Sequence, residues 1–432
     1  MRITVVGMGK IGLPLAVQFA SKGHTVIGAD VVPRTVDLIN AGTEPFPGET
    51  DLARKLAIEV EAGRLTATLD TTDAVRQSDA IVIVVPLFVD QDGIPDFGWM
   101  DAATAAVGRG LQRGALVSYE TTLPVGTTRD RFLPALVAES GLSADEFQLV
   151  FSPERVLTGR TFADLRKYPK LVGGTTPAAG IAGVEFYESV LDFDDRPDLD
   201  RPNGVWNLGS SEASELAKLA ETTYRDVNIG LANQFARYAD TRGIDIYSVI
   251  DACNSQIFSH IHRPGVAVGG HCIPIYPQMY LWNDPDATVV RAARAANRAM
   301  PAYAVALLEK HHGPLAGQRV AVLGASYRGG VKETAFSGVF DVVEALASAG
   351  ATPVVNDPLY TPAEIEALGF VNYEFGEPID AVIVQANHDE YTRVRADNLP
   401  GVRTVVDGRG ITSPELRDAV PTYVIGAAST HQ

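Results

Sequence analysis

The first twelve residues constrain the fold more than any other stretch of the chain. An apolar run at residues 3–6 ends in Gly7-Met8-Gly9-Lys10-Ile11-Gly12 and passes directly into an apolar, helix-forming segment at 13–20. A glycine triplet of this spacing between a strand and a helix is the turn a dinucleotide-binding βαβ unit needs. Gly7 permits the tight turn, Gly9 lets the backbone approach a pyrophosphate at the helix N-terminus, and Gly12 allows close helix–strand packing. A second strand-like run, 25–29, ends at Asp30, where a carboxylate hydrogen-bonds a ribose 2′-hydroxyl and repels a 2′-phosphate. The expected cofactor is therefore NAD. Arg34 is the counter-evidence, since a nearby arginine accommodates a 2′-phosphate.

The rest of the chain extends this pattern. At 432 residues, with 46% hydrophobic and 21% charged residues, it has the length of two to three soluble domains. A formal charge of −17 argues against non-specific attraction to nucleic acid or to anionic membrane. Two cysteines, no apolar run of membrane-spanning length and no signal-like start point to a reducing cytoplasm without structural disulfides. Strand-like runs at 3–6, 25–29, 80–85, 115–119 and 148–151 alternate with helical patterns, which predicts a parallel doubly wound sheet. After an acidic, proline-bearing stretch at 192–202, Ser210-Ser211-Glu212 offers a cap for a long helix running to Gly243. Leu216, Leu219, Val227, Leu231 and Phe235 give that helix an apolar side. About 30 helical residues span roughly 45 Å, enough to join two domains and supply a dimer face, or simply to be a core helix. From residue 317 a second α/β unit begins, with strands at 319–323, 352–356, 381–385 and 404–406 and a helix at 336–349. The predicted fold class is α/β: two Rossmann-like doubly wound domains joined by a long central helix and a helical dimerisation region. The expected boundaries are 1–205, 206–312 and 313–432.

A second motif carries chemistry. Val268-Gly269-Gly270-His271-Cys272-Ile273-Pro274 places a cysteine in a backbone that its glycines make bendable and closely approachable. A thiolate needs its charge stabilised, and an open glycine turn beside a histidine offers backbone N–H groups and solvent. Taken alone, such a cysteine reads equally as a small buried hydrophobe. Cys253, in a helix-like segment, reads as a packing residue.

Together with the glycine fingerprint and this loop, three further segments carry a resemblance: Glu120-Thr121-Thr122-Leu123-Pro124-Val125-Gly126-Thr127-Thr128, Ser152-Pro153-Glu154-Arg155-Val156, and the helix bearing Glu215-Leu216-Ala217-Lys218-Leu219 and Tyr224-Arg225-Asp226-Val227-Asn228. Over essentially its whole length the chain resembles the UDP-glucose/GDP-mannose dehydrogenase family of nucleotide-sugar 6-dehydrogenases. In motif style it is most similar to the branch that oxidises UDP-N-acetylhexosamines. The resemblance implies a four-electron oxidation at C6 of a hexose by two NAD in turn, in a homodimer where the long helix packs against its mate. It implies Cys272 as nucleophile, Lys218 as oxyanion stabiliser, Glu154 as the group that activates water for thioester hydrolysis, and Thr122 as the holder of water or the reacting oxygen, with Thr222 beside them. It places the cofactor against Gly7, Gly9, Lys10, Ile11, Gly12, Asp30, Arg34, Val85, Pro86 and Thr122. It places the UDP-sugar against Glu154, Arg155, Val156, Lys218, Arg225, Asn228, Arg263, Gly265, Gly269, Tyr327 and Arg328. No metal is expected.

The chain also departs from the family's pattern. Thr222 stands where the family has an asparagine one turn after the lysine, and Tyr276 where it has an aspartate four residues after the cysteine. Ala335 replaces an arginine near the phosphates, and a second family arginine is missing around Phe258. Arg263, Arg328 and Arg409 are the candidates for replacing that charge, with Arg328 the first choice. Two other readings remain open on sequence grounds: a two-electron dehydrogenase of the β-hydroxyacid type, for which Cys272 is dispensable, and a degenerate protein that binds NAD and nucleotide sugar without turnover.

Overall fold

A computed structural model describes residues 1–90 and 93–427. The chain divides into two compact units, 1–221 and 222–432.

The first unit is built on an eight-stranded sheet. Its strands are β1 (Arg2–Val6), β2 (Thr25–Ala29), β3 (Leu65–Thr68), β4 (Ala80–Ile83), β7 (Leu116–Tyr119), β8 (Gln148–Phe151), β9 (Lys170–Gly174) and β10 (Val205–Asn207), in the order β10-β9-β8-β7-β4-β1-β2-β3. The short strands β5 (Phe88–Val89) and β6 (Pro95–Asp96) form a separate antiparallel pair. Every neighbouring pair in the large sheet is parallel except β8 and β9, which run antiparallel. Strands β4 and β7 are buried at every position, as helices on both faces of a parallel sheet require. Val6 pairs with Ala29 on one side and Ile83 on the other. Strand order therefore reverses at β1, and a crevice opens at the carboxyl ends of β1 and β4, the position where open α/β sheets bind ligands. Helix Gly12–Ser21 buries Leu13, Leu15, Ala16 and Phe19 in this unit's core, Phe19 meeting Phe186 edge to face at 5.8 Å.

The second unit holds a five-stranded sheet, all parallel, of order β12-β11-β13-β14-β15: β11 (Arg319–Leu323), β12 (Thr352–Asn356), β13 (Ala381–Val384), β14 (Thr404–Asp407) and β15 (Thr422–Val424). Helices Met300–His312 and Gly338–Ser348 share its core with Val320, Val322, Ile383 and Val406. Here too the order reverses at the first strand. The two Rossmann-like α/β sheets are those the sequence predicts, while β3, β9, β10 and β15 lie outside the strand runs read from it.

The long helix spans Ser211–Arg242, as expected, and most of its large apolar side chains lie outside the core. Leu219 is buried, whereas Leu216, Leu231 and Phe235 are exposed together with Tyr224 and Tyr238. The inward positions carry Ala232, Ala236 and Ala239 and the polar Asp226 and Asn233. Small residues let neighbouring backbone approach, so the large apolar side chains are left on the outside. Among the described residues no helix is long and apolar enough to cross a membrane.

Candidate functional site

In the first unit the carboxyl ends of β1, β2, β4, β7 and β8 bring together most of the predicted cofactor residues. Gly7 has φ +92° and lies against the Val84 and Val85 backbone, 3.1 Å from where a β-carbon would stand. A β-carbon on Gly12 would lie 1.9 Å from the Gly7 carbonyl oxygen, whereas one on Gly9 would meet no protein atom within 4 Å. The turn thus uses its third glycine for packing and leaves its second facing open space. At the end of β2 the Asp30 carboxylate accepts hydrogen bonds from Met8 N (2.8 Å) and Val32 N (2.9 Å), which fixes it beside the turn with lone pairs to spare. These residues fit a dinucleotide. Arg34 and Lys10 are exposed, Pro86 is exposed and Val85 half-buried. Thr121 Oγ1 donates to the Val85 carbonyl (2.7 Å), and its neighbour Thr122 is buried.

Next to this crevice lies a buried ion cluster that the sequence reading missed in part. Lys170 Nζ donates to Glu120 Oε2 (2.7 Å) and to Glu154 Oε2 (2.9 Å). Glu120 Oε1 accepts from Tyr187 Oη (2.7 Å), and that hydroxyl also meets Ser118 Oγ (2.7 Å). Burial pushes the Glu120 carboxyl up to about 7, with Lys170 opposing and the Glu154 charge adding to the rise. Burial works on Glu154 in the same sense, but there Lys170 and the hydrogen bonds outweigh it and hold the carboxyl below its usual value. The next residue, Arg155, pairs with Glu221 (2.9 Å), whose other oxygen lies 3.4 Å from Lys218 Nζ. A cavity of about 10 Å³, one water in size, opens between Glu154, Arg155, Asp164, Tyr168 and Lys170. The only sequence signal for Lys170 was a lysine opening an otherwise apolar run.

In the second unit the cysteine turn is held by close backbone contacts. Gly270, at φ +90°, donates its N–H to the Ala335 carbonyl (2.8 Å). A β-carbon on Gly270 would stand 3.0 Å from the Tyr327 ring, and one on Gly269 would stand 2.6 Å from Tyr327 Cβ and 2.8 Å from the Phe336 carbonyl oxygen. Cys272 is half-buried, and its carbonyl accepts the N–H groups of Ile275 (3.2 Å) and Tyr276 (2.9 Å), so the thiol sits just ahead of helix Tyr276–Asn283. His271 is exposed, with Nε2 3.5 Å from Glu333. Gly265 packs against Arg409: its β-carbon would stand 2.8 Å from Nη1. Arg409 donates to the carbonyls of Gln385 (2.6 Å) and Ala267 (3.4 Å), and burial lowers its pKa to about 10, still charged at neutral pH.

Other predicted residues in this unit have local partners. Arg263 is ion-paired with Asp251 and donates to the Tyr247 carbonyl. Arg328 is exposed, its Nε 3.3 Å from Tyr327 Oη. Both ends of the Asn228 amide are bound to the 260–262 backbone, through the His260 carbonyl (2.7 Å) and the His262 N–H (2.9 Å). Arg225 is exposed and Thr222 buried.

This order of parts along the chain is matched by known proteins. The NAD binding domain of the UDP-glucose/GDP-mannose dehydrogenase family matches residues 1–191, its central domain 212–299 and its UDP binding domain 321–414. The chain belongs to the UDP-glucose/GDP-mannose dehydrogenase family. A UDP-N-acetyl-D-mannosamine dehydrogenase of Pyrococcus horikoshii is 33% identical over 420 residues, covering 95% of this chain and 96% of that one. An NDP-N-acetyl-D-galactosaminuronic acid dehydrogenase of Ralstonia solanacearum is 30% identical over 425 residues, with 95% and 96% covered. The solved structure of a UDP-D-ManNAc dehydrogenase from Pyrococcus horikoshii superposes with a TM-score of 0.86 at 31% identity, covering 99% of each chain. As a member of the UDP-glucose/GDP-mannose dehydrogenase family, the protein is an NAD-dependent nucleotide-sugar dehydrogenase.

Proposed function

We propose that this dehydrogenase oxidises C6 of a UDP-activated hexose, a UDP-N-acetylhexosamine or UDP-glucose, to the uronic acid through a covalent intermediate on Cys272. When bound, NAD supplies the hydride acceptor for each of the two oxidations. Lys218 stabilises the alkoxide as the C6 hydroxyl loses its proton and the aldehyde forms. The Cys272 sulfur then adds to the aldehyde carbon, and loss of a second hydride from that carbon leaves a thioester. Glu154 takes a proton from the water that attacks the thioester carbonyl, and the C–S bond breaks to release the acid and the thiolate. Thr122 holds the water or the reacting oxygen.

The observation that carries this reading is the Cys272 turn. Two glycines bring its backbone so close to Tyr327 and Phe336 that no side chain could replace them without displacing the loop, and they hold a half-buried thiol at a helix start. We assign the substrate diphosphate to Arg409, whose guanidinium donates to carbonyls and so keeps its charge for an anion, whereas Arg263 is committed to Asp251. Gly265 lies against that guanidinium. The exposed Leu231, Phe235 and Tyr238, beside an open groove of about 420 Å³ that Tyr238 also lines, support a homodimer through the long helix. The two free cysteines support a reducing, cytoplasmic setting.

The test is the NADH formed per sugar consumed across a panel of UDP- and GDP-hexoses and N-acetylhexosamines, with Cys272→Ser alongside. Two NADH per sugar, lost in the variant, is the expected result. One NADH per sugar regardless of Cys272 would overturn the covalent route in favour of a two-electron dehydrogenase, and none despite measured binding would mark a non-catalytic protein.

A further inference from the structure

We infer that Lys170 is a positioning residue for the hydrolytic step: its ammonium, shared with Glu120, fixes the orientation and the negative charge of Glu154, so that a carboxylate faces the attacking water. This rests on the reading of Glu154 as the group that activates that water.

The placement follows from the one antiparallel pairing in the large sheet. Phe151 of β8 is opposite Gly173 of β9, and the same register carried three residues further sets position 154 opposite position 170. The lysine that opens β9 therefore meets the glutamate that follows β8. Lys170 is 4% exposed at its side chain, Glu120 is fully enclosed, and Glu154 keeps 11%. Of the three, Glu154 is thus the one with an open edge. Its Oε2 accepts from Lys170 and its Oε1 from Arg155 N (2.8 Å), so the carboxylate plane is set from two sides. The Glu154 N–H donates to the Glu120 carbonyl (3.2 Å), which ties the two glutamates through the backbone as well.

Two carboxylates this close to each other in a buried site do not both ionise at neutral pH unless a cation lies between them. The charged and titratable groups around Glu154 are Lys170 from β9, Glu120 from the end of β7, Tyr187 from helix Pro177–Val190, Asp164 from helix Thr161–Lys167, Tyr168 after that helix, and Arg155, itself held by Glu221. Among the described residues Lys170 is the one cation in direct contact with the Glu154 carboxylate, and it lies between the two glutamates, whose shifts run in opposite directions, Glu120 upward and Glu154 downward.

The experiment is a pair of transient-kinetic pH profiles on the full enzyme with its nucleotide sugar. The rate of acid release is followed separately from the first NADH, for wild type, Lys170→Met and Lys170→Arg. In Lys170→Met the ascending limb of acid release moves up by roughly one to three pH units, the first NADH keeps its own profile, and Lys170→Arg returns the limb towards wild type. An unmoved limb overturns the inference, as does an equal loss of both phases with no displacement in pH, which is what a merely structural lysine would give. A wild-type enzyme that forms one NADH per sugar and no acid counts against the covalent reading itself, because in that reading the second NADH is formed before hydrolysis; a failure of the inference alone leaves both NADH in place. Should Lys170→Met fail to fold, the carboxylate band in infrared difference spectra of wild type minus Glu154→Gln decides. Titration below the usual carboxylate range supports the inference, and titration above that range overturns it.

Discussion

Gly9 and Gly12 belong to one turn but make opposite predictions on substitution by alanine. At Gly12 the added β-carbon falls 1.9 Å from the Gly7 carbonyl oxygen and 3.0 Å from the Gly7 carbonyl carbon, about 1.5 Å short of an ordinary van der Waals contact. Both atoms are backbone, so the helix must move away from β1, an overpacking cost of roughly 1–3 kcal/mol in the protein without any ligand. At Gly9 the β-carbon meets nothing within 4 Å, and the residue is absent from the positive-φ glycines, so the free protein should lose no more than about 0.5 kcal/mol. If the dinucleotide backbone approaches Gly9, however, the new methyl occupies its space, and the same 1–3 kcal/mol appears as a loss of NAD affinity of roughly 5–150-fold. Isothermal titration with NAD and urea unfolding, run on both variants, separate the effects. Gly12→Ala should unfold at lower urea, whereas Gly9→Ala should unfold with wild type and bind NAD weakly. A Gly9→Ala protein that binds NAD with wild-type affinity would refute the assignment of this turn to the pyrophosphate.

Two further perturbations test the charges elsewhere. Arg409→Leu should raise KM for the nucleotide sugar roughly 10–150-fold, the worth of a charge-assisted hydrogen bond, while KM for NAD stays put; an unchanged sugar KM would remove Arg409 from the diphosphate. Glu215 is buried and accepts from Gly126 N (2.6 Å), Thr128 N (2.9 Å) and Thr128 Oγ1 (2.7 Å), yet burial outweighs these bonds and raises its pKa from 4.5 to about 7. The folded state then holds a proton that the unfolded state releases, so this group's stabilising contribution is complete below pH 4.5 and fades as pH rises through 7. Glu215→Gln should flatten that decline in urea midpoints measured across the range, and parallel wild-type and variant profiles would show that the carboxylate is ionised in the fold.

The glycine fingerprint, Asp30, the two α/β repeats and the ends of the long helix were legible in the sequence because each is decided locally. A glycine is needed where a backbone carbonyl lies 1.9 Å from a β-carbon position, a strand buried on both faces is largely apolar, and a helix ends where its pattern ends. The face of the long helix was not legible. Leu216, Leu231 and Phe235 form an apolar side that reads either as a dimer face or as core, and the fold buries Ala232, Ala236 and Ala239 instead, since close approach there demands small side chains. Nor could sequence spacing pair Lys170 with Glu154 and Glu120, or tell that Arg263 pairs with Asp251 while Arg409 bonds to carbonyls. Those pairings depend on which strands are neighbours and which way they run. A single reversal, β9 against β8, places a lysine opposite a glutamate sixteen positions earlier, and an arginine's availability depends on whether an acid such as Asp251 happens to fold beside it. Local patterning determined the elements, while the tertiary structure decided which charges meet, because strand order and direction are non-local properties of the chain.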